Sequence, residues 1–161
     1  MSDFSEMPLH SRVWIYQANR ELTAVEIDDT DHLADAFLDR WTSHGALMNA
    51  RIDIFYNRFI VVFVDEKTAP ASGCGIDKSV SFIKEIEEKY NISLLNRLNV
   101  AFRKLEKIYA CALSDFAKLF AEGLVDENTI VFNNLVATKE EFDTKWEIPL
   151  KESWHYDKFK V

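Results

Sequence analysis

The stretch Ser72-Gly73-Cys74-Gly75-Ile76-Asp77 holds the residue types closest to chemistry. Glycines on both sides of a thiol let the backbone bend and expose its amides, and a helix start just ahead would favour the thiolate. Cys74 in that setting can serve as a nucleophile, a redox thiol or one metal ligand, or as a small side chain in a tight loop. Asp77 reads as the cap of the helix that follows, and its charge opposes thiolate formation nearby. The loop from Asp65 to Ile76 leads into this stretch, so Asp65 and Glu66 are candidate bases beside it. His44 and His155 are candidate partners from elsewhere in the chain. No H-x-x-x-H or C-x-x-C spacing occurs, so no metal site is expected.

Asn133-Asn134 follows a strand-like run and can either contact a ligand or fold back on its own backbone as a turn. Trp154-His155-Tyr156 can form an exposed contact patch or anchor the C-terminal tail. The acidic series Glu26, Asp28, Asp29, Asp31, Asp35 and Asp39 reads as a solvated face that could also meet a basic partner.

These groups must be positioned by a chain of 161 residues, a length that suits one domain without help from metal or disulfide. Its net charge of -8 argues against nucleic-acid backbones and anionic membrane surfaces as partners. The start is acidic and polar, unlike an export signal, and the longest apolar run, Phe59 to Val64, is too short to span a membrane. With two cysteines far apart, Cys74 and Cys111, a reducing cytoplasm is the expected setting.

Periodicity supplies the elements. Arg12 to Gln17 reads as a strand. Thr30 or Asp31 is expected to cap a helix running to about His44, with Leu33, Ala36, Phe37 and Trp41 on its apolar face. Met48 to Tyr56 alternates as a half-buried strand. Asn57-Arg58 turns into Phe59–Val64, apolar on both faces and hence central. A second helix is predicted from Asp77 to about Tyr90, stopped by Asn91. A further strand within 93–103 would complete β-α-β-β-α-β, the ferredoxin-like order of an antiparallel α+β fold over 12–103. The remainder, 104–161, reads as a hairpin-helix-strand extension, with a helix at 115–122 capped by Ser114, a strand at 129–132, a helix from 139 to about 146 behind Thr138, and an irregular aromatic tail. One compact unit is expected, with a subdomain seam near residue 98.

Two resemblances follow from particular residues. Leu113 to Phe132, a helix, Gly123, an acidic turn at Asp126-Glu127-Asn128 and the strand Thr129-Ile130-Val131-Phe132, resembles the helix-turn-strand of GYF-like adaptor modules. The Gly-Tyr-Phe signature is missing, so proline-peptide binding is not implied. Ser11–Gln17, Trp41–Gly45, Val64-Asp65-Glu66, Ala71–Asp77, Thr129–Val136 and Ser153-Trp154-His155 together resemble a group of small uncharacterised bacterial proteins, some labelled ABC transporter ATPases. That resemblance implies no site residue. The ATPase label fails on chemistry. Phe59–Val64 followed by Asp65-Glu66 looks like a Walker B strand, but G-x-x-x-x-G-K-[ST], whose amides and lysine must neutralise the phosphates, is absent.

The expectation is therefore a non-catalytic cytoplasmic binding or interaction module without a cofactor, and not an ATPase. Its binding-loop candidates are Glu66, Ser72, Gly73, Cys74, Gly75, Asp77, Asn133 and Asn134. The alternative is a small thiol- or metal-dependent enzyme with Cys74, His44 and Asp65 at its centre. A protein or a small molecule is the expected partner, and self-association through aromatic surface stays open.

Overall fold

In chain order the elements are β1 (Arg12–Gln17), α1 (Ala24–Arg40), β2 (Thr42–Ser43), β3 (Ala46–Leu47), β4 (Asn49–Phe55), β5 (Phe59–Asp65) and α2 (Gly73–Tyr90). They continue with β6 (Asn99–Lys104), β7 (Lys107–Ala112), α3 (Leu113–Ala121), β8 (Ile130–Phe132), α4 (Lys139–Lys145) and β9 (Glu147–Pro149), then 3-10 turns at Leu150–Glu152 and Trp154–Lys158. This computed structural model describes residues 7–43, 45–67 and 69–158. The fold is α+β with antiparallel sheets: β1-β5-β4, the short ladder β2-β3, and β7-β6-β8-β9.

Alternation along the strands stacks these sheets. Ile60, Val62 and Val64 of β5 face α1 and α2, while Phe59, Val61 and Phe63 face the second sheet and α4, and all six are fully buried. That is why the run is apolar at every position. Ala101 and Phe132 of the second sheet join the layer between the sheets, and Val100, Phe102 and Val131 point the other way onto α3. Each side chain of this size contributes roughly 1.5–3 kcal/mol on burial.

The ferredoxin-like order is met only in its first part. Strands β1, β5 and β4 and the two long helices on one face fit it, but β6 does not join their sheet. It pairs with β7 and β8 instead. Its own residues Val100, Ala101 and Phe102 are apolar towards both faces, so β6 needs cover on both and finds it in the second sheet. The place beside β1 where a fourth strand would add is left to a cleft.

Helix boundaries also shift from expectation. α1 starts at Thr23, not Thr30 or Asp31, because Thr23 and Glu26 form a reciprocal capping box. Arg20 clamps Glu26 through both guanidinium nitrogens, at 2.8 and 2.9 Å, and with the Thr23 N–H holds that carboxylate at about pKa 2. Thr30 lies buried inside the helix, on the stripe with Ala34 and Phe37, while Ala36 is exposed. α2 is capped by Ser72, not Asp77, which lies exposed within the helix. Ala112 rather than Ser114 precedes α3 and offers no side-chain cap. Thr138 caps α4 as expected. Glu147–Pro149, predicted irregular, pairs with β8. No helix among the described residues is long and apolar enough to cross a membrane.

Candidate functional site

The residues singled out around Cys74 do not assemble into a catalytic group. Cys74 is exposed on the first turn of α2. Ser72 accepts from the Gly75 N–H and shares a 2.7 Å hydrogen bond with Ser43. A Cβ on Gly75 would meet Ser43 at 3.3 Å, and Trp41 Nε1 donates to the Gly75 carbonyl at 2.9 Å. The Gly-Cys-Gly run is thus a helix start pressed against Trp41 and Ser43, with Gly75 at the close approach and Gly73 facing open space.

Asp65 is engaged elsewhere. It accepts from the Lys67 N–H at 3.0 Å and lies 3.1 Å from His10 Nε2, and these contacts hold its carboxyl below the usual range, the backbone bond foremost. Glu66 accepts from the Ala71 N–H at 3.0 Å and pairs with Arg12 at 3.2 Å. Both acids fasten the loop ahead of α2. His44 lies outside the described residues. Among the described residues no group of three or more His, Cys, Asp or Glu could hold a metal ion.

The two asparagines part company. Asn133 Oδ1 accepts from the Leu135 N–H, the self-bonded turn. Asn134 reaches β1. Its Oδ1 accepts from Trp146 Nε1 at 2.9 Å and its Nδ2 donates to Gln17 Oε1 at 2.8 Å.

That contact borders a cleft of about 290 Å³ along β1, close to the lower end of small-molecule sites at roughly 300 Å³. All of β1 lines it, facing the segment 94–97, the segment 134–137, and Trp154 and His155. β1 is the edge of its sheet, and its outer backbone side is closed at both ends. Val13 N–H donates to Ala137 at one end; Asn19 and Ser93 bond at the other. Val13 faces outward, so Ile15 and Gln17 do too, and among the described residues no backbone pairs with them on that side.

Polarity in the cleft runs one way. Gln17 is 7% exposed, and among the described residues its Nε2 has no partner; Trp154 Nε1 is likewise unpaired, and both nitrogens are closed off from solvent, so a bound group meets them once either side chain turns towards the cleft. Both are donors. His155 is 3% exposed, stacks on Trp154 with centroids 3.9 Å apart, and burial pushes its pKa down to about 4. Ser153 Oγ accepts from the His155 N–H and lies 2.6 Å from Nδ1. Arg12 is occupied by Glu66 and stacked over Trp14, whereas Arg97 is exposed and has no acidic partner among the described residues. Although the chain carries 27 Asp and Glu, none is among the described residues that line the cleft.

Of the sequence candidates, Asn134, Trp154 and His155 fall at this cleft. Gln17 and Arg97 had no local motif to mark them. The visible signals were the Asn-Asn pair after a strand and the aromatic run Trp154-His155-Tyr156.

No family model matches the chain, and no curated protein or solved structure matches it.

Proposed function

We propose that this chain is a non-catalytic binding protein that holds a small molecule in the cleft beside β1. The observation that carries this is the Gln17 amide, more than nine-tenths buried among the cleft-lining residues with an unpaired N–H. A buried donor without a partner costs about 1–3 kcal/mol, a cost that a ligand oxygen removes. Closure at Ala137 and Ser93 favours a compact ligand over an extended peptide, which would have to run past both ends. Free Cys74 and Cys111 fit a cytoplasmic setting. The absence of a phosphate-binding loop from the sequence supports a protein that is not an ATPase.

A fragment screen read by amide and indole NMR tests this. Binders should move the Trp154 indole and Ile15 amide resonances. Leu135→Trp, at an exposed position of the cleft lining, should weaken them. Fragments that bind only around Cys74, or nowhere near β1, would overturn the proposal.

A further inference from the structure

We infer that the ligand of this cleft is a small organic acid, an apolar body carrying a carboxylate that faces Gln17, Trp154 and Arg97. The inference rests on the cleft being the binding site and adds the chemical class of what fills it.

The amide orientations decide the polarity. An indole N–H can only donate, so Trp146 Nε1 fixes Asn134 with its oxygen towards Trp146. Asn134 must then turn its Nδ2 to Gln17, and Gln17 must answer with Oε1. Gln17 Nε2 is left as the unpaired end of the relay, its orientation set by the indole at the other end. Trp154 Nε1 adds a second donor that no rotation can convert to an acceptor. The outward N–H of Ile15 adds a third. A group that takes several donors and offers none is a carboxylate rather than an alcohol, amine or amide.

Charge points the same way. Arg97 stands at the cleft with no acidic partner among the described residues, and no carboxylate of the protein lines the cleft to repel an anion. This matters in a chain whose net charge is -8, where an acid-free cavity is a local exception. The body of the ligand must be apolar, since Trp14, Leu94, Leu95, Phe132 and Val136 supply the rest of the wall. The volume limits it to one ring, a small fused pair of rings or a short chain.

The test uses matched pairs. Acetate, hexanoate, phenylacetate and indole-3-acetate are titrated against the full chain beside their primary amides, with the Trp154 indole and Ile15 amide resonances as readout. At least one acid should bind about tenfold tighter than its amide, the value of one charge-assisted hydrogen bond. Arg97→Gln, an exposed change that spares the core, should reduce that preference roughly two- to fivefold. If amides bind the cleft as well as acids do, or Arg97→Gln leaves the preference intact, the carboxylate inference falls while the cleft stands. If no member of any pair moves either resonance, both fall.

Discussion

Asn134 donates to Gln17 across 2.8 Å although 117 residues separate them in the chain. The bond ties the loop after β8 to the end of β1, and through Trp146 it reaches α4's C-terminal side. Gln17 is thereby held with its oxygen consumed and its N–H free. A single amide thus links the two sheets and sets the polarity of the cleft between them.

Asn134→Ala should therefore cost more than an ordinary surface change. It strands the buried Trp146 N–H and the Gln17 oxygen together, a loss of about 2–4 kcal/mol in urea unfolding. Asn133→Ala, which removes only a turn contact to the Leu135 N–H, should cost under about 1 kcal/mol. Asn134→Asp separates positioning from folding. Aspartate still accepts from Trp146, but it offers Gln17 an acceptor, so the Gln17 amide should turn over and spend its N–H there. Stability should then fall less than in Asn134→Ala while phenylacetate binding is lost. Retained binding would show that Gln17 does not face the ligand.

The His155 environment predicts a pH dependence with a definite sign. Its folded pKa is depressed to about 4 by burial, against 6.5 when unfolded. Between those values the unfolded chain binds the extra proton, so stability rises with pH across the window. The contribution is complete above about pH 6.5 and is lost on acidification towards pH 4, at most on the order of 3 kcal/mol. Urea unfolding at pH 7 and pH 4.5 should show it, and His155→Gln should flatten the difference. An unchanged slope in that variant would place the acid sensitivity elsewhere.

Much of the fold was legible because burial wrote it into periodicity. Phe59–Val64 could only be a strand covered on both faces, β4 followed from alternation, and β1 from its aromatic and β-branched residues. Helix starts were less legible. Thr23 lies in an acidic stretch without apolar rhythm, and its capping box with Glu26 is a polar signal. Gly73 and Gly75 suggested a loop, although Gly75 lies where Trp41 and Ser43 press on it. The fourth ferredoxin-like strand failed because pairing partners are chosen in three dimensions, and β6 found two in the second sheet. The cleft was least legible of all. Its donors come from Ile15, Gln17 and Trp154, which share no motif and meet only through the relay at Asn134.

Nucleotide binding offers a clean negative. Asp65 and Glu66 resemble the end of a Walker B strand, yet they hold Lys67, Ala71 and Arg12. With no phosphate loop in the sequence, MgATP should raise the thermal midpoint no more than magnesium alone, and phosphate release should not exceed a blank. A saturable shift that Asp65→Asn abolishes would reverse this.

The cysteines test whether the first turn of α2 has any role beyond structure. Cys74 is exposed there, while Cys111 on β7 is half-buried and its thiol is pushed up, by burial first and by Asp115 second. Burial and a raised thiol both slow Cys111, so iodoacetamide should modify exposed Cys74 first at neutral pH, with Cys111 slower by about tenfold or more. The Cys111 rate should still be climbing with pH beyond the ordinary thiol range. Cys74→Ser removes no buried contact and should leave both the thermal midpoint and phenylacetate binding unchanged. Ser72→Ala, in contrast, removes the cap and the bond to Ser43 and should cost about 1–2 kcal/mol. If Cys74→Ser instead abolishes cleft binding, the two regions are coupled and the thiol belongs to the function. If modification of Cys74 is slower than that of Cys111, the first turn of α2 is covered in solution, and a partner or second copy seated there becomes the better account of its glycines.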